Sequence, residues 1–290
     1  MNGFACENLY REGSLREFLR EFGVRPDKNL GQHFLVDRSV LESISKSAGN
    51  GDAVVEVGPG VGSLTCLLKE QFDRVYGVEL EGKFEKPFNA VNPEERVKFI
   101  RGDVLDLDFS YLEGIRQDRR VKLVGNIPYN ITGKLMQKTI AWRDYFSRAV
   151  FTLQKEVADR ILAEPGTSDC GRLTYHVRAY GEVDRLMDVH PDKFYPPPEV
   201  ESTAVVIDLK RSGEFEIEEE FFSSLLRGVF LHRRKTIRNG LTDSPEFSLD
   251  RDQVDSLLDG SEIDPRKRPE EFSLDEFVRL AKSLRKLEAN

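Results

Sequence analysis

The segment Val54-Val55-Glu56-Val57-Gly58-Pro59-Gly60-Val61-Gly62 decides the fold. A β-branched run leads without a break into three glycines at alternate positions, and a helical pattern starts near Ser63. A strand that turns this sharply into a helix needs residues without Cβ atoms, so that the backbone can bend and approach a bound nucleotide. A dinucleotide fingerprint would place its third glycine at position 63, which is serine here. The alternate spacing suits an adenosyl ligand without a pyrophosphate; a nicotinamide dinucleotide is the competing reading.

Working outward, short apolar runs at Ala53–Val57, Val75–Val78, Val97–Arg101 and Val121–Val124 alternate with helical stretches such as Leu64–Gln71. That alternation predicts parallel strands joined by crossover helices, an α/β doubly wound sheet. Helices from about Gly133 to Trp142 and at Glu156–Ala163, with strands at Arg148–Leu153, Arg172–Tyr180 and Ala204–Leu209, are expected to complete it. Ahead of the sheet, Ser14–Phe22 reads as a short amphipathic helix, Lys28–Leu35 as a loop, and Asp37 as the cap of a helix reaching Ala48. The catalytic domain is therefore assigned to residues 1–211, with a helical extension over 1–27. Residues 212–290 read as a small helical domain, with helices at Glu216–Leu231, Arg233–Leu241, Asp250–Leu258 and Leu274–Leu287.

Three acids fall at successive strand carboxyl ends, where open α/β sheets bind ligands. Glu79 can accept both hydroxyl hydrogens of a ribose, Asp103 can accept from an adenine amino group, and Glu56 can face an ammonium group. With Gly58 and Gly60 they form a candidate nucleoside site. One strand further on comes Asn126-Ile127-Pro128-Tyr129. An exocyclic adenine amine is a weak nucleophile, because its lone pair is delocalised into the ring. The Asn126 side-chain oxygen and a backbone carbonyl beside Pro128 can hold its two hydrogens and aim the nitrogen at a sulfonium methyl, without a general base. Tyr129 offers a face on which the base stacks, and Phe194, held by the proline run 196–198, is a candidate second wall.

The chain has 290 residues, 32% of them charged, and a formal charge of −8, which argues against a protein that coats nucleic acid generally. A local phosphate-binding surface survives: Arg227, Arg233, Arg234, Lys235 and Arg238 lie between positions 227 and 240 with no acid among them. Cys6, Cys66 and Cys170 are far apart and share no metal-ligand spacing with the histidines, so neither a disulfide nor a metal site is expected. No apolar run approaches a membrane span and no secretory leader is legible, so the expected location is cytoplasmic.

These residues closely resemble the KsgA-type family of ribosomal RNA adenine N6,N6-dimethyltransferases. The resemblance runs through Asn29–Leu35, Glu56–Gly60, Gly102-Asp103, Asn126–Asn130, Leu153–Ala158, Gly171–Leu173, Phe194–Ser202 and Arg233–Asn239, covering most of the chain from about residue 26 to residue 278. It implies a Rossmann-like class I methyltransferase domain, S-adenosylmethionine as cofactor, and a cofactor site in which Asn29 and Leu30 cover the ligand and Gly58, Glu79, Asp103 and Asn126 line it. It also implies a substrate of two adjacent adenines in a hairpin near the 3′ end of 16S rRNA, each methylated twice during late small-subunit assembly, with Arg233, Arg234, Lys235 and Arg238 of the helical domain contacting RNA. The partner would be a small-subunit precursor; no dimer is required. The alternatives are the related macrolide-resistance enzymes, which act on large-subunit RNA, and a non-catalytic assembly factor.

Overall fold

The computed structural model describes residues 5–27, 30–109, 120–232 and 234–288. In chain order the helices are α1 (Glu12–Glu21), α2 (Arg38–Ala48), α3 (Thr65–Leu68), α4 (Glu85–Val91), α5 (Thr132–Ala141), α6 (Lys155–Leu162), α7 (Arg172–Tyr180), α8 (Glu219–Phe230), α9 (Ile237–Thr242), α10 (Arg251–Gly260) and α11 (Leu274–Glu288). The strands are β1 (Phe34–Leu35), β2 (Gly51–Val57), β3 (Phe72–Glu79), β4 (Val97–Arg101), β5 (Val121–Asn126), β6 (Phe146–Gln154), β7 (Gly181–Val189), β8 (Phe194–Tyr195) and β9 (Ser202–Leu209).

Among the described residues the main sheet has the order β4-β3-β2-β5-β6-β9-β7. The pairs β2–β3, β3–β4, β2–β5 and β5–β6 are parallel, and β9 runs antiparallel to β6. The chain moves outward in one direction from β2 and then in the other from β5, so the carboxyl ends of β2 and β5 flank the topological switch point. Ala53 to Val57 are buried at every position, Glu56 included, as a central parallel strand covered on both faces requires. Helix α2 starts where the Asp37 carboxylate accepts from the Ser39 and Val40 amides at 3.0 and 3.3 Å. Its apolar side, Val40, Leu41, Ile44 and Ala48, joins Leu15, Phe18 and Leu19 of α1 in one core with Val61 and Leu64 beside the glycine turn.

The chain divides into two compact units, residues 1–158 with 184–209, and residues 159–183 with 210–290. Residues 159–183, assigned above to the catalytic domain, therefore cluster with the helical unit. The expected strand at Arg172–Tyr180 is the helix α7. Its aromatic and β-branched residues look strand-forming, but Thr174 sits one turn in and its hydroxyl accepts the Gly171 amide at 3.0 Å. The buried Tyr175 then donates its hydroxyl to the Phe272 carbonyl at 2.6 Å within the same unit. Such contacts override a modest intrinsic preference. The strand expected there lies one element later, as β7.

The expectation of no disulfide is also overturned. Cys6 and Cys66 are bonded, with Cα atoms 5.9 Å apart and a sequence separation of 60. Local spacing cannot reveal such a pair; it arises because the segment before α1 packs beside α3.

Candidate active site

A single cleft gathers the carboxyl ends of four strands: Val57 of β2 with Gly58 after it, Val78 and Glu79 of β3, Gly102 and Asp103 after β4, and Asn126 of β5. Leu30, Gly31, His33 and Phe34 close it from the amino-terminal side. Leu30 is 38% exposed, a large apolar side chain kept at the cleft mouth. Of the candidate cofactor residues, Leu30, Glu56, Gly58, Gly60, Glu79, Asp103 and Asn126 all line this cleft. Asn29 lies outside the described residues.

The glycine turn is sterically required. Gly60 has φ +54°, and a Cβ there would lie 2.6 Å from the Phe34 ring. Glu79 is held by the turn itself: one carboxylate oxygen accepts the Gly60 amide at 3.1 Å and the other the Glu81 amide at 3.0 Å. Burial nonetheless pushes its carboxyl above the ordinary range. Asp103 accepts the Leu105 amide at 2.9 Å. Glu56 is 3% exposed, and burial drives its carboxyl up to about 8, against the opposing effect of a 2.5 Å hydrogen bond from the Thr65 hydroxyl. Among the described residues, those lining the cleft include Glu56, Glu79, Glu81 and Asp103 but neither lysine nor arginine. A pyrophosphate would meet carboxylates there without a counter-cation, whereas a cationic nucleoside would be welcomed.

Asn126 is oriented by a tertiary contact. Its amide nitrogen donates to the His33 carbonyl at 2.6 Å, which turns its oxygen the other way. Pro128 lines the cleft beside it. Tyr129 is half-buried, its ring stacked against His33 with centroids 6.1 Å apart and its hydroxyl 3.0 Å from the Ser202 hydroxyl; burial raises its phenol above the ordinary value. Phe194 is placed differently from the expected pocket wall. It is 2% exposed, pairs with Leu35 across the β1–β8 ladder, belongs to the core of the sheet unit, and does not line the cleft. The proline run holds the aromatic ring inward, as core.

In the helical unit, the basic stretch is partly neutralised by neighbours that are distant in sequence. Arg227 pairs with Glu246 at 2.9 Å, Lys235 with Asp243 at 2.7 Å, and Arg238 with Asp255. Arg234 is exposed, and Arg233 lies outside the described residues. A stretch free of acids in sequence is thus not free of them in space.

Reading the sequence alone misses Thr65, which holds Glu56, and Ser202, which holds Tyr129. Neither has a local signature, since the partners are 9 and 73 residues away. His33 and Phe34 were visible as part of a recognisable segment, but not as parts of the site.

Comparison with known proteins gives a consistent result. A family model described as ribosomal RNA adenine dimethylase matches residues 24–286. Proteins called ribosomal RNA small subunit methyltransferase A are among the relatives. The one from Halothermothrix orenii is 34% identical over 94% of this chain and 92% of its own length. The one from Geobacter metallireducens is 37% identical over 92% of this chain and 98% of its own. Among solved structures, a dimethyladenosine transferase from Plasmodium falciparum superposes with a TM-score of 0.72 at 24% identity, covering 86% of this chain and 96% of that one. The 23S rRNA methyltransferase ErmE gives 0.64 at 21% identity, covering 87% and 99%. Both structures share the class I methyltransferase fold described above.

Proposed function

This chain belongs to the ribosomal RNA adenine dimethylase family, and on that premise we propose that it methylates N6 of two adjacent adenines in the 3′-terminal hairpin of 16S rRNA, giving N6,N6-dimethyladenosine. The single observation that carries the chemistry is the Asn126 amide: with its nitrogen tied to the His33 carbonyl, its oxygen is the atom left to accept from an adenine amino group.

The cofactor is S-adenosylmethionine, and the cleft fits it. Its acidic lining, without lysine or arginine among the described residues, suits a ligand carrying a sulfonium and an ammonium, and a Cβ-free Gly58 keeps the backbone open at the head of the cleft. Glu56 would meet the ammonium, Glu79 the ribose hydroxyls and Asp103 the adenine amino group, with Asn29 and Leu30 over the ligand. When bound, this group supplies an electrophilic methyl. The chain's own task is to position the acceptor. Asn126 and a carbonyl beside Pro128 fix the two amino hydrogens, favouring the positive charge that grows on nitrogen, and Tyr129 stacks the base. Phe194 acts from behind, as packing under the β1–β8 ladder. Arg233, Arg234, Lys235 and Arg238 are the proposed RNA contacts, with Arg234 the most available of the described three. The partner is a small-subunit precursor, met in the cytoplasm by a monomer. Among the described residues no helix is long and apolar enough to cross a membrane.

The test is transfer of labelled methyl groups from S-adenosylmethionine to small subunits that lack this modification, with large subunits alongside, followed by nucleoside analysis. Dimethyladenosine confined to the small subunit is expected. Label on the large subunit would point to the resistance-type reaction instead, and no label on either to an assembly factor without chemistry.

A further inference from the structure

His33 joins three segments that the chemistry needs together. Its backbone carbonyl accepts the Asn126 amide at 2.6 Å. Its ring nitrogen Nδ1 lies 2.7 Å from the Pro196 carbonyl oxygen, and its ring stacks on Tyr129 at an interplanar angle of 25°. A carbonyl oxygen can only accept, so Nδ1 must carry the proton, in the neutral ring as in the charged one. The chain sets up this contact just before the β1–β8 ladder, in which Phe34 pairs with Tyr195 and Leu35 with Phe194. The Val36 amide adds a bond to the Lys193 carbonyl at 2.9 Å beyond it. On the Asn126 side of that ladder, the His33 side chain is what ties the segment to Pro196.

We infer that His33 is a positioning residue for methyl transfer: its Nδ1–H···O bond to Pro196 holds its own carbonyl where it orients the Asn126 amide. This rests on the reading of Asn126 given above. Without the anchor, the 30–35 segment shifts, the Asn126 side chain is free to rotate, and its NH2 can face the target amine. Two donors then face each other, and the acceptor that holds the amine hydrogen is lost. The base still binds, because Tyr129 keeps its bond to Ser202. The loss therefore falls on turnover.

Three variants separate this role from a merely structural one. His33→Asn keeps an N–H near the Nδ1 position, His33→Phe keeps the flat ring against Tyr129 without a donor, and His33→Ala removes both. His33→Ala and His33→Phe should lower kcat by about 10- to 100-fold, the range expected when a reacting group is misplaced by an ångström or less, with KM for small subunits changed by about twofold at most. His33→Asn should recover most of the turnover. A second readout does not depend on activity: the Asn126 side-chain amide protons, followed by NMR, should exchange slowly in the wild type and in His33→Asn, and faster in the other two. Recovery by His33→Phe as good as by His33→Asn would overturn the inference, as would a rise in KM at constant kcat or equal Asn126 exchange in all four proteins. A wild type that transfers no methyl group would instead sink the reading of the site's function, and the exchange rates would still decide the hydrogen-bond relay.

Discussion

Binding of the cofactor's ammonium group should force Glu56 to give up a proton, and the amount can be worked out. Burial places this carboxyl at about 8 in the ligand-free protein, so at pH 7 about nine molecules in ten carry a neutral Glu56. A cation placed against it favours the ionised form. Titration with S-adenosylhomocysteine, which carries the same ammonium, should therefore release roughly 0.9 proton per site at pH 7 and close to one at pH 6. The ligand's own amine stays protonated across that window. Ionising Glu56 at pH 6 costs about 2.7 kcal/mol more than above pH 8, so Kd should fall about tenfold from pH 6 to pH 7. Calorimetry in two buffers of different ionisation heat reads the proton count directly. Glu56→Gln should abolish both the release and the pH slope. The same shift bears on stability with a definite sign. The folded state holds a proton that the unfolded state loses near 4.5, so Glu56 makes the ligand-free protein less stable as pH rises from about 4.5 to about 8. A wild type that binds this ligand with no proton release and a flat pH profile would refute the pairing of the ammonium with a buried, protonated Glu56.

Other perturbations test the remaining links. Asn126→Ala should cut kcat by about 10²- to 10³-fold while leaving RNA affinity nearly intact; equal losses in filter binding and in turnover would mean the turn is structural. Because Lys235 is already paired with Asp243, Arg234→Gln should weaken RNA binding more than Lys235→Gln and lower the salt slope by about one, and identical effects of the two would contradict the pairing. Closing a loop of 60 residues constrains the unfolded chain by up to about 4 kcal/mol, so Cys6→Ser should lower the denaturation midpoint measured without reductant. Reductant should bring the wild type to the same value, and a midpoint indifferent to both treatments would remove the disulfide from the stability argument.

Periodicity and residue type carry far in this protein because much of its fold is local logic. A strand buried on both faces has to read as an apolar run, and a tight turn onto a helix has to contain glycine, so Ala53–Val57 and Gly58–Gly62 were legible, as were the acids at the strand ends and Asn126 after β5. Asp37 announced α2 because a capping carboxylate works within three residues.

What only the tertiary structure decided involves partners that are remote in sequence. The residues of α7 look like a strand until Tyr175 finds the Phe272 carbonyl. Cys6 meets Cys66, and the basic stretch meets Asp243, Glu246 and Asp255, through packing that no spacing rule encodes. Phe194 points into the core because the β1–β8 register puts it opposite Leu35. The Asn126 amide has two chemically opposite ends, and the sequence leaves open which one faces the cleft. The choice is made by the His33 carbonyl, 93 residues earlier, because a hydrogen bond depends on where its donor and acceptor lie in space and not on their separation along the chain.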